Sequence, residues 1–115
     1  GIDNPKIDYK DSLSKSYNEA GQYDIVLANP PFTGKIDRGD VNTSLRIDSP
    51  SSELLFLDRI SSMLRIGGKA AVIIPEGVLF GSSNAQKQTR EIILKDNQLE
   101  AVISLPSGAF KPYLV

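Results

Sequence analysis

Residues 23–32 read Tyr-Asp-Ile-Val-Leu-Ala-Asn-Pro-Pro-Phe, and the change of character inside that stretch sets the architecture. Tyr23–Ala28 is a short apolar run of the composition that favours a buried strand. Asn29-Pro30-Pro31 ends it, because neither proline can donate to a strand ladder. Two stretches downstream repeat the pattern: Lys69–Pro75 (Lys-Ala-Ala-Val-Ile-Ile-Pro) and Leu99–Leu105 (Leu-Glu-Ala-Val-Ile-Ser-Leu), the latter stopped by Pro106. Lys6–Tyr9 is a further candidate, shorter than the others. Strands that are continuously apolar belong in a sheet covered on both faces.

Two helices are expected between these strands. Glu53–Arg65 places Leu54, Leu57, Ile60, Met63 and Leu64 at spacings of three and four, the pattern of one buried helix face. Ser51 or Ser52 is positioned to cap its start, and Gly67-Gly68 to stop it. The second helix, about Asn84–Lys95, opens with Ser83 and Gln86 at capping-box spacing, and Ala85, Ile92 and Ile93 form its inner face. The alternation predicts an α/β fold with right-handed crossovers and mostly parallel pairing. Thr33–Ser52 interrupts it with a long polar loop holding Lys35, Arg38 and Arg46. Loops of that length inside a small domain are usually functional or disordered.

The 115 residues are 40% hydrophobic, enough for one small core. No apolar run approaches the ~20 residues of a membrane helix, so no membrane partner is expected. The start, Gly1-Ile2-Asp3-Asn4-Pro5, has no signal-peptide character, and Met63 is the only Met. The chain is therefore expected to be a processed product, an engineered piece or a fragment. Cys and His are both absent, which excludes disulfides, Cys/His zinc sites, Cys nucleophiles and Ser-His-Asp triads. A cytoplasmic location suits that usage. The net charge of −1 provides no global basic field, so a nucleic-acid partner would need most of its phosphates neutralised from elsewhere.

In open α/β sheets, ligands bind beyond the carboxyl ends of the strands. Asn29-Pro30-Pro31-Phe32 sits at that place. Each proline keeps the residue before it out of the helical region, so the turn is stiff. The Asn29 side-chain oxygen and the Pro30 carbonyl are two neighbouring acceptors, which suits an exocyclic amine with two N–H bonds. Phe32 offers a flat face to the ring that carries such an amine.

Asp24–Phe32 resembles the catalytic motif of amino-group methyltransferases that use S-adenosylmethionine. Glu53–Phe80 and Glu100–Tyr113 resemble the modification subunits of type I restriction–modification systems, so the similarity covers nearly the whole chain. The resemblance implies a DNA adenine-N6 methyltransferase. Asn29 and Pro30 would accept the target amine, Phe32 would stack on the base, and Pro31 would support the turn. The base would be flipped out of the duplex first. Direct attack on the donor's methyl group needs no Cys, whereas cytosine-C5 methylation does and is excluded. The implied partners are DNA and the specificity and restriction subunits.

Other residues carry less specific signals. Asp11 resembles the position that meets the cofactor's adenine, though a cap or a solvated carboxylate fits it as well. Lys35, Arg38 and Arg46 would meet phosphates, and a solvated loop explains them equally. Glu76 and Phe80 follow a strand end and are placed to line the cleft, with packing the better role for Phe80. Phe110 would flank the base or pack, the latter being favoured.

The resemblance also exposes what is missing. The family's Gly-rich cofactor loop and its acidic ribose contact have no counterpart in these residues. Residues 1–115 are thus expected to be a single partial domain, the C-terminal half of a Rossmann-like methyltransferase catalytic domain. The remainder of that domain becomes a partner, and without it Tyr23–Ala28 would keep an unpaired apolar edge prone to self-association. Two other functions fit: amino methylation of an RNA base or a protein glutamine, and a non-catalytic α/β module for assembly.

Overall fold

A computed structural model describes residues 1–32 and 34–111. Its element order is β1 (Tyr23–Ala28), α1 (Ser52–Met63), β2 (Leu64–Val72), α2 (Glu76–Phe80) and α3 (Asn84–Asp96). The two strands pair in parallel. The α/β class and the parallel pairing are as expected. β1 has the predicted bounds, and its ladder ends where the prolines begin, with the Ile73 N–H donating to the Ala28 carbonyl at 3.0 Å.

α1 ends earlier than its apolar spacing predicts, and not at the glycines. The backbone N–H groups of Gly21 and Gln22 donate to the carbonyls of Ser62 and Met63, each at 2.8 Å. These are helix-end carbonyls with no partner inside the helix. The segment entering β1 satisfies them, and Leu64 turns directly into β2. Gly67 and Gly68 lie inside β2 instead. There a bulge sets the single residue Asp24 opposite Arg65, Ile66, Gly67 and Gly68. Gly67 has φ +84°, a conformation that side chains oppose. At Gly68 a Cβ would lie 3.0–3.1 Å from the carbonyl oxygens of Arg65, Asp24 and Tyr23.

The core gathers Leu13, Ile47, Leu54, Leu55 and Val78. Leu54 and Leu55 come from α1, Val78 from α2, and Leu13 and Ile47 from irregular segments. α3 starts as the sequence predicts: the Ser83 hydroxyl accepts from the Gln86 N–H while Gln86 reaches back to the Ser83 N–H. The Asn97 side chain extends the far end by donating to Ser61 and to the Ile93 carbonyl.

Three further expectations fail. Lys6–Tyr9 and Leu99–Leu105 are not strands. Both are exposed, with Ile7 and Ile103 more than four-fifths accessible at 84% and 81%; neither pairs with the outer edge of β1 or β2, and β propensity alone does not make a ladder. The sheet is also not covered on both faces. Val26 and Ala28 are half-buried, whereas Ile25 and Leu27, pointing the other way, are 69% and 79% exposed.

Replacing Gly68 with alanine is predicted to cost about 1–3 kcal/mol, since the new Cβ must push three backbone carbonyls apart. The check is the denaturant midpoint. A midpoint equal to that of the wild type would show that β2 yields freely at the bulge.

Candidate active site

The strand end carries a row of backbone and side-chain acceptors, and the fold treats them unequally. The Ala28 carbonyl is taken by Ile73, and the Pro31 carbonyl faces the Ser52 hydroxyl at 3.4 Å. Between them, among the described residues, nothing donates to the Asn29 side-chain oxygen or to the Pro30 carbonyl. Pro30 is buried, Asn29 is exposed and Phe32 is half-buried. Among the described residues, these two acceptors of the turn are open to a ligand. They are neutral and accept without titrating.

Phe32 meets Phe110 edge to face, with ring centroids 5.9 Å apart and planes at 74°. Such a pair contributes about 0.5–1.5 kcal/mol beyond its buried area. The sequence held both readings of Phe110, packing and flanking a base. The structure places it against Phe32, where it packs and also stands beside the turn.

The loop after the turn is irregular but firmly tied; Thr33, its first residue, lies outside the described residues. Lys35 and Ser51 form an antiparallel bridge at its base, and Ser14 and Val41 form another across it. Asn42 is buried, and its side-chain amide donates to the carbonyls of Ser14 and Tyr17, each at 2.8 Å. Ile47 enters the core. Arg46 donates through Nε and Nη2 to Asp58 Oδ1 at 3.0 and 2.7 Å, and through Nη1 to Asp96. The hydrogen bond to Asp96, then the one to Asp58, holds the Arg46 guanidinium above its usual range.

The three loop cations are therefore not equivalent. Arg46 joins the loop to α1 and α3, so its charge is already answered by two carboxylates. Arg38 sits 3.6 Å from Asp48, both highly exposed, in the kind of surface pair that contributes little. Lys35 is exposed beside the bridge that follows the turn. Asp11 caps its own turn: Oδ1 accepts from the Leu13 N–H at 3.0 Å, and its carbonyl accepts from Ser14. It also borders a hollow of about 260 Å³ with Tyr9 and Glu19. There Lys10 donates to Glu19 at 3.1 Å, which holds Glu19 below the usual carboxylate range and Lys10 above its own.

Glu76 begins α2 and is exposed. Phe80 ends it and is 80% exposed, so the packing role expected for Phe80 is not met; Val78, two residues earlier, takes the inward position instead. Behind the loop, the Arg59 guanidinium lies 4.7 Å over the Tyr17 ring and donates to the Ser12 carbonyl at 2.7 Å. Burial lowers the Arg59 pKa and raises that of Tyr17. The sequence offered no sign of this pair, since its members lie far apart in the chain.

All of residues 1–115 match the family model described as N-6 DNA Methylase. The chain belongs to that family. It is 32% identical to the type I restriction enzyme EcoEI methylase subunit of Escherichia coli over 98% of this chain and 24% of the relative. It is also 32% identical to the StySPI methylase subunit of Salmonella potsdam, over 77% of the chain and 16% of the relative. A third relative, the type II restriction enzyme and methyltransferase RM.BcgI of Heyndrickxia coagulans, is 33% identical over 74% of the chain and 12% of the relative. The chain thus spans a quarter or less of the length of these relatives. No solved structure matches it.

Asp58 is only 2% exposed and receives the Arg46 backbone N–H as well as its guanidinium. Asp58→Ala should lower stability by about 2–3 kcal/mol, because a buried donor set loses its acceptor. Arg38→Ala should stay within about 0.5 kcal/mol. Thermal melts of the two variants check the contrast, and equal melting temperatures would contradict it.

Proposed function

We propose that this N-6 DNA methylase chain supplies the target-amine side of the active site of a DNA adenine-N6 methyltransferase. S-adenosylmethionine would be the donor, in a Rossmann-like domain serving a restriction–modification system. The observation that carries this is the pair of acceptors Asn29 Oδ1 and the Pro30 carbonyl, to which nothing donates among the described residues, on a rigid turn at the carboxyl end of a parallel strand. Family membership and the relatives named as methylase subunits support it.

The chemistry follows from hydrogen bonding. An adenine N6 amine donating one N–H to each acceptor has its lone pair held out of the ring's conjugation, which makes it a better nucleophile. Phe32 would stack on the flipped ring. The fixed φ of Pro30, and the limit that Pro31 sets on the ψ of Pro30, stiffen the backbone between the two acceptors. Lys35 and Arg38 would meet phosphates. Arg46 would act indirectly, by keeping the loop in place. Since relatives are named as subunits of restriction enzymes, partner subunits that choose the target and cut are part of the proposal.

The described residues do not make up a site for S-adenosylmethionine. Asp11 is the single candidate contact, and one of its oxygens is committed to Leu13. The turns that follow β1 and β2 are built on Pro30, Pro31 and Pro75, without glycines that would let a cofactor approach the backbone. The donor's contribution, an electrophilic methyl group, would be presented by residues beyond these.

Asn29→Ala in the full-length protein is expected to lower kcat for methyl transfer to DNA by on the order of a hundredfold or more, with the fold intact by circular dichroism. Unchanged turnover would favour a non-catalytic module. The 115-residue chain alone should bind S-adenosylmethionine weakly or not at all; calorimetric titration showing binding near ~1 μM would contradict the division of the site.

A further inference from the structure

We infer that Ser52 is a positioning residue for the turn at Asn29–Phe32 and that Gly34 is the residue that makes room for it. The inference rests on reading that turn as the amine site. Ser52 opens α1 and is only 5% exposed. A hydroxyl at a helix start ordinarily serves the helix. This one does not: the N-cap is Ser51, and it makes no side-chain cap hydrogen bond. The Ser52 hydroxyl is directed instead at the Pro31 carbonyl, 3.4 Å away, while its backbone N–H donates to the Gly34 carbonyl at 2.9 Å.

These contacts form a clasp on both sides of Phe32. The Lys35–Ser51 bridge and the Ile36 N–H to the Pro50 carbonyl, at 3.1 Å, continue it. With φ of Pro30 and Pro31 locked, few backbone rotations remain in the turn. Restraining the Pro31 carbonyl fixes the peptide plane that leads into Phe32 and, through Pro31, the plane that carries the Pro30 acceptor. The hydroxyl contact is long beside the usual ~2.5–3.0 Å, as catalytic-site hydrogen bonds often are before a ligand docks. Gly34 is required by space. A Cβ there would lie 2.6 Å from Ser52 Oγ and 3.3 Å from Ser52 Cβ, so any side chain at 34 displaces the clasp.

The test uses the full-length protein with an oligonucleotide substrate. Ser52→Ala should lower kcat roughly tenfold, leaving KM for S-adenosylmethionine and the melting temperature near wild type. Ser52→Thr, which keeps the hydroxyl, should recover most of the rate. Gly34→Ala should lose more than Ser52→Ala. Adding Ser52→Gly to Gly34→Ala should return part of the loss, because the colliding atoms are gone. The inference is overturned by wild-type kcat in Ser52→Ala, by a loss that follows the melting temperature and is not recovered in Ser52→Thr, or by strictly additive effects at 34 and 52. Asn29→Ala separates the two levels. If it abolishes turnover while Ser52→Ala is silent, the clasp alone fails. If Asn29→Ala is itself fully active, the reading of the turn fails and the clasp with it.

Discussion

Pro30 and Pro31 have no backbone N–H to give, and much of the molecule is arranged around that deficit. A parallel strand can keep its neighbour only while both sides exchange hydrogen bonds. β1 and β2 therefore part just after Ala28 accepts from Ile73. Past that point the chain needs other support. Ser52 provides some of it at the Pro31 carbonyl, and the Lys35–Ser51 bridge provides more. The same helix that begins under the turn ends under the entry to β1, where Gly21 and Gln22 donate to Ser62 and Met63. α1 thus braces β1 at both of its ends, and the turn inherits its position from a rigid element.

Apolar and polar burial together hold the long loop. Ile47 enters the core and Ile36, Val41 and Leu45 pack against it, while Asn42, with both polar side-chain atoms engaged, and Arg46 on Asp58 are its polar fixed points. Networks of this kind stabilise when complete and destabilise when one member is lost. That asymmetry explains how an irregular stretch can be well defined. It also reassigns Arg46. A cation in a polar loop looks like a phosphate ligand in sequence, yet a guanidinium shared by two carboxylates has little charge left to offer.

Legibility followed the range of the interactions. β1 and the Ser83–Gln86 box were readable because their determinants are neighbours in sequence. The end of α1 was not, because the groups that stop it lie about forty positions upstream, well outside the local signals that mark helix ends. Gly67-Gly68 looked like a helix stop and turned out to allow a bulge and a close backbone approach. Leu99–Leu105 has strand composition, but a strand is a pairing and not a property of one segment. The position of the turn, directly after Ala28, was legible to the residue. What surrounds it was only half so: Phe110 was weighed, while nothing about Ser52 distinguished it from Ser51 until the packing placed its hydroxyl.

The chemistry of the turn sets unusual demands on that packing. Catalysts built on His, Cys or carboxylates can compensate for imperfect placement by shifting a pKa. Asn29 and the Pro30 carbonyl have no protonation state to adjust, and the chain has no Cys or His to supply one. On the proposed function, their preference for an amine, and the nucleophilicity they confer on it, depend only on two acceptors being held at one spacing and one angle. Small displacements of such groups are costly. A pair of prolines, a buried ring at Pro30 and a helix-borne hydroxyl are the means available to neutral groups for meeting that demand. The exposed face of β1, with Ile25 and Leu27 largely bare, marks where this support is thinnest: the strand that carries the turn is steadied by β2 and α1 but sheltered on one face only.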